Sequence, residues 1–174
     1  HIILHPMLLL LYRHPLYYPA YRLQLERGYA CKEIRTGLLY SPHTLTVKQL
    51  NRLVGIQYAL NSIVESCSWE KLLVNLRAQN IYSPPFVIEY SRISKHPQRL
   101  PSRKLLGKLA LCMGGEVDFK APVLRYRLIE TDQIYYFTQH VHKPFWSLPS
   151  YTHRPHAYSA ALSSELAALA INMV

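Results

Sequence analysis

The stretch FVIEYSRIS (86–94), continued by LPSRKLLGKLALCMGGEVDFKAPVLRYRLIETDQIYYF (100–137), decides how the fold is interpreted. It opens with an alternating run typical of a strand and passes through a basic loop to a helix that Ser102 can cap. Gly114 and Gly115 then end that helix. Two strands follow, over 123–130 and 134–141, and the turn between them predicts a hairpin.

The residues before this stretch alternate between short strands and helices. Helices are predicted over 17–27 and from Thr46 onward, where the Thr46 hydroxyl can act as the cap. The predicted strands lie over 7–13, 31–34, 37–40 and 58–65. The order β-α-β-β-α-β is that of a ferredoxin-like unit. The sequence therefore predicts an α+β chain in which a ferredoxin-like unit precedes a second α/β domain.

The composition favours an anionic partner. Lys and Arg number 20 against 10 Asp and Glu, which gives the 174-residue chain a formal net charge of +10. Nucleic acid is the default partner for such an excess. The longest apolar run, Met7 to Leu11, is far shorter than the roughly 20 residues that span a bilayer, so no membrane partner is expected. Three separated cysteines without a CxxC pair favour a reducing compartment, either the cytoplasm or an organelle such as the mitochondrial matrix.

The positive charge is concentrated between Ser91 and Gly115, a segment without Asp or Glu. Arg103 and Lys104 fall in the first turn of the predicted helix, where the helix dipole makes a cation unfavourable by roughly 0.3–1 kcal/mol. A phosphate bound at that turn would reverse the sign. The alternative is an ordinary solvated charged face. The predicted RNA-binding residues are Arg92, Lys95, Arg99, Arg103, Lys104 and Lys108.

The motifs of 86–137 resemble a THUMP domain, in which a strand, a basic loop and a helix are followed by a G-x-x-V-D-x-x-x-P turn. Here that turn is Gly115 to Pro122. Behind it, HRPHAYSAALSSELAALAINM (153–173) is similar to the junction between THUMP and catalytic domains in tRNA guanosine-N2 methyltransferases. That family also carries a ferredoxin-like unit ahead of THUMP. The matching junction residues are Arg154, Pro155, Ser159, Leu166, Ala167 and Asn172.

The resemblance implies a tRNA-binding module that is non-catalytic by itself. Its parts would be a ferredoxin-like unit (1–66), a THUMP-like RNA-binding domain (67–142), and a linker and helix leading toward an absent catalytic domain (143–174). The family's D-P-x-x-G-x-G cofactor loop does not occur before Val174, so S-adenosylmethionine is expected only if a catalytic domain follows. The helix from Ala160 to Val174 could bind a protein partner.

Two other functions fit the same residues. The chain could be a structural RNA-binding subunit of a ribonucleoprotein such as a mitochondrial ribosome, derived from such an enzyme and bound to rRNA. It could also be a scaffold for a partner other than RNA, with the charge incidental. The presence or absence of salt-dependent RNA binding separates the scaffold from the other two.

The remaining motifs predict no catalytic or metal site. Ser83-Pro84-Pro85-Phe86 fits a methyltransferase pattern, but it precedes a strand and is interpreted as a rigid entry to that strand. His140, His142, His153 and His156 lack the cysteines or carboxylates that would complete a metal site. Trp146 and Tyr151 are candidates for stacking on unpaired bases, with burial of the linker as the alternative.

Overall fold

The computed structural model describes residues 8–12, 18–53, 55–93 and 102–142. The chain divides into two units, which include Leu8–Ala59 and Leu60–Val141. Each contains strands and helices, so the fold is mixed α+β as the sequence predicts. The division falls inside one long strand, whereas the predicted domains meet at residue 66. Lys95, Arg99, Trp146, Tyr151 and the predicted linker and helix of 143–174 lie outside the described residues.

The first unit follows the predicted β-α-β-β-α-β order. Its strands are arranged in the order β2-β3-β1-β4, and β3 pairs antiparallel with both β1 and β2. The last strand, β4, continues into the second unit. The elements are β1 (Leu8–Tyr12), α1 (Tyr18–Tyr29), β2 (Lys32–Arg35), β3 (Leu38–Ser41), α2 (Val47–Leu50) and β4 (Ile56–Ser66).

Local signals in the sequence explain these boundaries. The Thr46 side chain accepts a hydrogen bond from the Gln49 backbone, and Gln49 returns one to the Thr46 backbone, which forms a capping box at the start of α2. The helix stops at Leu50, earlier than its apolar pattern predicts. Gly37 takes a positive φ of 92° in the turn between β2 and β3. The unit's apolar core includes Leu10, Leu25 and other buried side chains of β1, α1, β3 and β4.

In the second unit, two helices alternate with the strands. The strand order is β4-β7-β6-β5, with β5 parallel to β6 and β6 antiparallel to β7. The hairpin between β6 and β7 is therefore confirmed, and Thr131 closes it by donating its backbone N–H to the Ile134 carbonyl at 2.9 Å. The elements are α3 (Trp69–Ala78), β5 (Phe86–Ile93), α4 (Ser102–Cys112), β6 (Leu124–Thr131) and β7 (Tyr135–His142).

Side-chain alternation divides the strands of this unit into two faces. Phe86, Tyr126 and Phe137 belong to one core cluster with Leu72 of α3 and Leu109 of α4. The Tyr126 ring stacks on Phe137 at 5.4 Å and meets Phe86 edge-on at 5.8 Å. Phe137 is fully buried in this core. Because the apolar stripe of α4 is buried here, its opposite face is left to solvent.

Candidate nucleic-acid interface

Helix α4 carries three exposed cations on the side away from the core. Leu105 and Leu109 are buried against the sheet, whereas Arg103, Lys104 and Lys108 are exposed. The first turn contains no acidic residue. Among the described residues, no carboxylate lies within ion-pairing distance of these three side chains. The structure thus brings together three of the six predicted RNA-binding residues as a cationic face of α4.

One acid lies near this cationic face. Glu70, in the first turn of α3, has its pKa lowered by a hydrogen bond with its own backbone, then by the Ser68 hydroxyl, and also by the charge of Lys108. The Ser68 hydroxyl donates to Glu70 Oε2 at 2.8 Å. Glu70 therefore stays ionised below its ordinary range and weakens the positive potential near Lys108. Sequence patterns do not indicate this neighbour of Lys108, because Glu70 lies 38 positions away in the chain.

Arg92 does not belong to the cationic face. Its Nη2 lies 3.2 Å from Glu130 Oε2, and its side chain is only 21% exposed. The parallel register of β5 and β6 places Arg92 directly opposite Glu130. The sequence grouped Arg92 with the α4 cations because the segment from Ser91 to Gly115 contains no acid. The acid that pairs with Arg92 comes from the neighbouring strand.

Glu130 has a second partner in Tyr90, whose hydroxyl donates to the same carboxylate. Burial, and then the Glu130 carboxylate, raise the pKa of Tyr90 to about 12. Glu130 is itself buried. A buried carboxylate that accepts hydrogen bonds from a phenol and a guanidinium is satisfied internally. The three side chains therefore stabilise the sheet.

A second charged cluster lies on the opposite face of the same strands. Glu89 pairs with Arg127, and its Oε1 accepts a hydrogen bond from Arg125 Nη1 at 3.2 Å. Arg127 Nη1 also donates to Ser91 Oγ at 2.6 Å. His140 Nε2 lies 3.5 Å from Glu89 Oε2. Glu89 and Arg127 come from the neighbouring strands β5 and β6, so their ion pair supports strand pairing.

The G-x-x-V-D-x-x-x-P turn packs against the segment that leads into β5. Ser83 N–H donates to the Gly114 carbonyl at 2.7 Å, and Phe86 N–H donates to the Glu116 carbonyl at 2.9 Å. The Ser83 hydroxyl lies 3.1 Å from the Tyr126 hydroxyl in a buried site. The residues Ser83-Pro84-Pro85-Phe86 thus form the rigid strand entry that the sequence predicted.

This end of the unit exposes several large apolar side chains that sequence reasoning missed. Tyr82 is 87% exposed, Leu111 84% and Phe119 79%. Val117 and Val123 are exposed beside them in the chain. We call these five residues the apolar end. A signal was available, since Tyr82 and Phe119 both fall between turn-forming residues, where an aromatic ring has no strand or helix face on which to be buried.

The described residues contain no group of three or more His, Cys, Asp or Glu placed to hold a metal ion. Of the four histidines weighed for such a site, His153 and His156 lie outside the described residues, as does the side chain of His142. The three cysteines are free thiols. No helix among the described residues has both the length and the apolar character needed to cross a membrane.

Together these features define a mixed α+β fold with a cationic helix face. Solved structures share this fold. TrmN from Thermus thermophilus matches with a TM-score of 0.57 and 15% identity, over 79% of this chain and 46% of TrmN. A 4-thiouridine synthetase, solved as an RNA complex with bound ATP, matches with a TM-score of 0.52 and 14% identity, over 79% of this chain and 42% of the synthetase.

A third structure covers more of the chain. SMU.472, a putative methyltransferase complexed with SAH, matches with a TM-score of 0.54 and 10% identity, over 97% of this chain and 48% of its own. The chain thus spans about half the length of the structures it matches. No family model matches the sequence, and no curated protein matches it. At these identities the likeness establishes the fold.

Proposed function

We propose that this chain is an RNA-binding module that acts in tRNA modification, and that the cationic face of α4 contacts the sugar-phosphate backbone. The observation that carries the proposal is the exposure of Arg103, Lys104 and Lys108 on one helix face without ion-pair partners among the described residues. The fold supports it, because solved structures that share it include a 4-thiouridine synthetase in complex with RNA.

The energetics of α4 favour an anionic ligand at its first turn. Arg103 and Lys104 stand where the helix dipole is positive, which costs roughly 0.3–1 kcal/mol for each cation. A phosphate placed there accepts hydrogen bonds from the backbone N–H groups and pairs with both side chains. Arg103 and Lys104 therefore lower the stability of the free protein and stabilise its complex with a phosphate.

We further propose that the chain is the substrate-binding part of a tRNA guanosine-N2 methyltransferase-like protein. The motifs from Phe86 to Asn172 support this assignment, together with the fold shared with TrmN and with the SAH-bound methyltransferase SMU.472. Under this proposal the chain binds RNA without catalysing methyl transfer. S-adenosylmethionine would be bound by a separate catalytic domain and not by this chain.

Charge reversal tests the interface. We expect Arg103→Glu with Lys104→Glu to weaken binding of an unmodified tRNA transcript roughly tenfold or more, since two charge-assisted contacts are lost. The slope of log K against log salt should become shallower by about 0.7–0.9 for each phosphate contact removed. The measurement is fluorescence anisotropy across a salt series.

The matched control is Lys32→Glu with Lys48→Glu. Both lysines are exposed in the first unit, and the pair changes the net charge by the same amount. We expect this control to keep most of the affinity. Equal losses in both pairs would mean that net charge alone drives binding. A parent chain that binds no RNA would favour the scaffold function.

A further inference from the structure

The apolar end contains five of the eight exposed large apolar side chains among the described residues. Tyr82 and Phe119 are two of the three most exposed large apolar side chains among the described residues. The segments that carry the group are hydrogen-bonded to each other: Gly114 N–H donates to the Ile81 carbonyl at 2.9 Å, and Val123 N–H donates to the Pro85 carbonyl at 2.7 Å. The exposed rings therefore belong to one end of the unit.

The backbone beneath both rings is fixed. A Cβ atom on Gly114 would lie 3.1 Å from Tyr82 Cδ2, so the tyrosine ring rests directly over the glycine. On the other segment, Asp118 Oδ1 accepts from the backbone N–H groups of Lys120 and Ala121 at 2.8 and 3.2 Å. This turn holds the backbone on either side of Phe119. Rings exposed on a fixed backbone lose little entropy when a flat ligand stacks on them.

Exposed cations lie close to the apolar end in the chain, which also carries two acids, Glu116 and Asp118. Lys120 follows Phe119 in the chain and is exposed, and Arg77 is exposed in the last turn of α3, shortly before Tyr82. Lys108 precedes Leu111 on α4 by one helical turn. Helix α4 is about 16 Å long. Its cations lie from the first turn to Lys108, and Leu111 of the apolar end follows in the last turn. Aromatic rings beside a positively charged track are the arrangement that binds single-stranded nucleic acid.

We infer that Tyr82 and Phe119 stack on unpaired nucleotides of the RNA whose phosphates contact the α4 cations. The inference rests on the proposed function and adds the part of the RNA that is recognised: bases free of pairing, since only those expose a ring face. A protein partner is less favoured, because the centre of a protein interface is depleted of charge, and the exposed Lys108 and Lys120 lie within three residues of Leu111 and Phe119 in the chain.

Two RNA probes test the inference with the full chain: a labelled hairpin with a blunt stem, and the same hairpin with a short single-stranded tail. We expect the parent to bind the tailed probe more tightly. Tyr82→Ala with Phe119→Ala should weaken binding of the tailed probe by roughly tenfold or more and leave the blunt probe and the salt slope unchanged. Tyr82→Trp should show tryptophan quenching beyond the parent's when the tailed probe is added.

Val74→Ala is the control, because Val74 is another exposed apolar residue, on α3 and outside the apolar end. Equal losses on both probes, or no loss, would overturn the stacking assignment while leaving the α4 interface intact. Self-association of the parent that the double variant abolishes, measured by sedimentation, would assign the apolar end to protein contact instead. If the parent binds neither probe, the proposed function itself fails.

Discussion

The turn beneath the apolar end requires a glycine at position 115. Its φ of 129° is one that residues with a side chain rarely adopt, and a Cβ atom there would lie 2.1 Å from the Ser83 carbonyl oxygen. We expect Gly115→Ala to lower the free energy of unfolding by more than about 2 kcal/mol, because backbone strain and a backbone clash add. Urea unfolding gives the measurement.

Gly107 provides the contrast at the same scale. It lies inside α4, and a Cβ atom there would meet nothing within 4 Å. Gly107→Ala should therefore raise the free energy of unfolding by up to about 1 kcal/mol through helix propensity. Equal stability of the two alanine variants would contradict the close approach of Gly115 to Ser83.

Arg92 is a structural arginine and Arg103 is a proposed RNA-binding one, so their alanine variants should differ in stability. Removing the Arg92 side chain leaves the buried Glu130 carboxylate with Tyr90 as its remaining partner. We expect Arg92→Ala to lower the free energy of unfolding by about 2–3 kcal/mol, whereas Arg103→Ala should change it by less than about 0.5 kcal/mol. Arg92→Ala combined with Glu130→Gln should recover part of the loss. A destabilising Arg103→Ala would mean that its charge is used in folding.

At the scale of the element, neutralising the first-turn cations of α4 should have opposite effects on the stability of the protein and on its affinity for RNA. Neutralising Arg103 and Lys104 with glutamine removes two cations from the positive end of the helix dipole. We expect stability to rise by roughly 0.3–1 kcal/mol for each replacement, while RNA affinity falls. Lys108→Gln, two turns into the helix and near Glu70, should give no gain in stability. Thermal unfolding and anisotropy on the same samples provide both quantities.

Elements were predictable from the sequence where local signals determine them. The cap at Thr46 and the hairpin between β6 and β7 depend on residues close together in the chain, and the structure confirms both. The Arg92–Glu130 pair was not predictable, because strand register joins residues 38 positions apart. The exposure of Tyr82 and Phe119, by contrast, had a local signal, since both rings lie between turn-forming residues. Sequence therefore indicated the cations of the proposed interface, but not that Arg92 is neutralised by Glu130.

At the scale of the whole molecule, the net charge of +10 attracts any polyanion, so a test must separate that general attraction from a local site. Glu70 permits the separation, because it lies near Lys108 and its lowered pKa keeps it ionised from pH 5 to 8. We expect Glu70→Gln to strengthen RNA binding about two- to fivefold at low salt, with the gain shrinking as salt rises.

Glu26→Gln adds the same unit of charge on α1 of the first unit, away from the α4 cations in the chain, where Glu26 pairs with Arg22 at 2.9 Å. If RNA responds only to the total charge, the two variants should gain equally. If RNA contacts the cationic face of α4, only the Glu70 variant should gain RNA affinity. An added Lys108→Gln should remove most of that gain, because the two residues act on the same phosphate. Anisotropy titrations of the parent, both single variants and the Glu70–Lys108 double variant form a thermodynamic cycle whose coupling energy reports that shared contact.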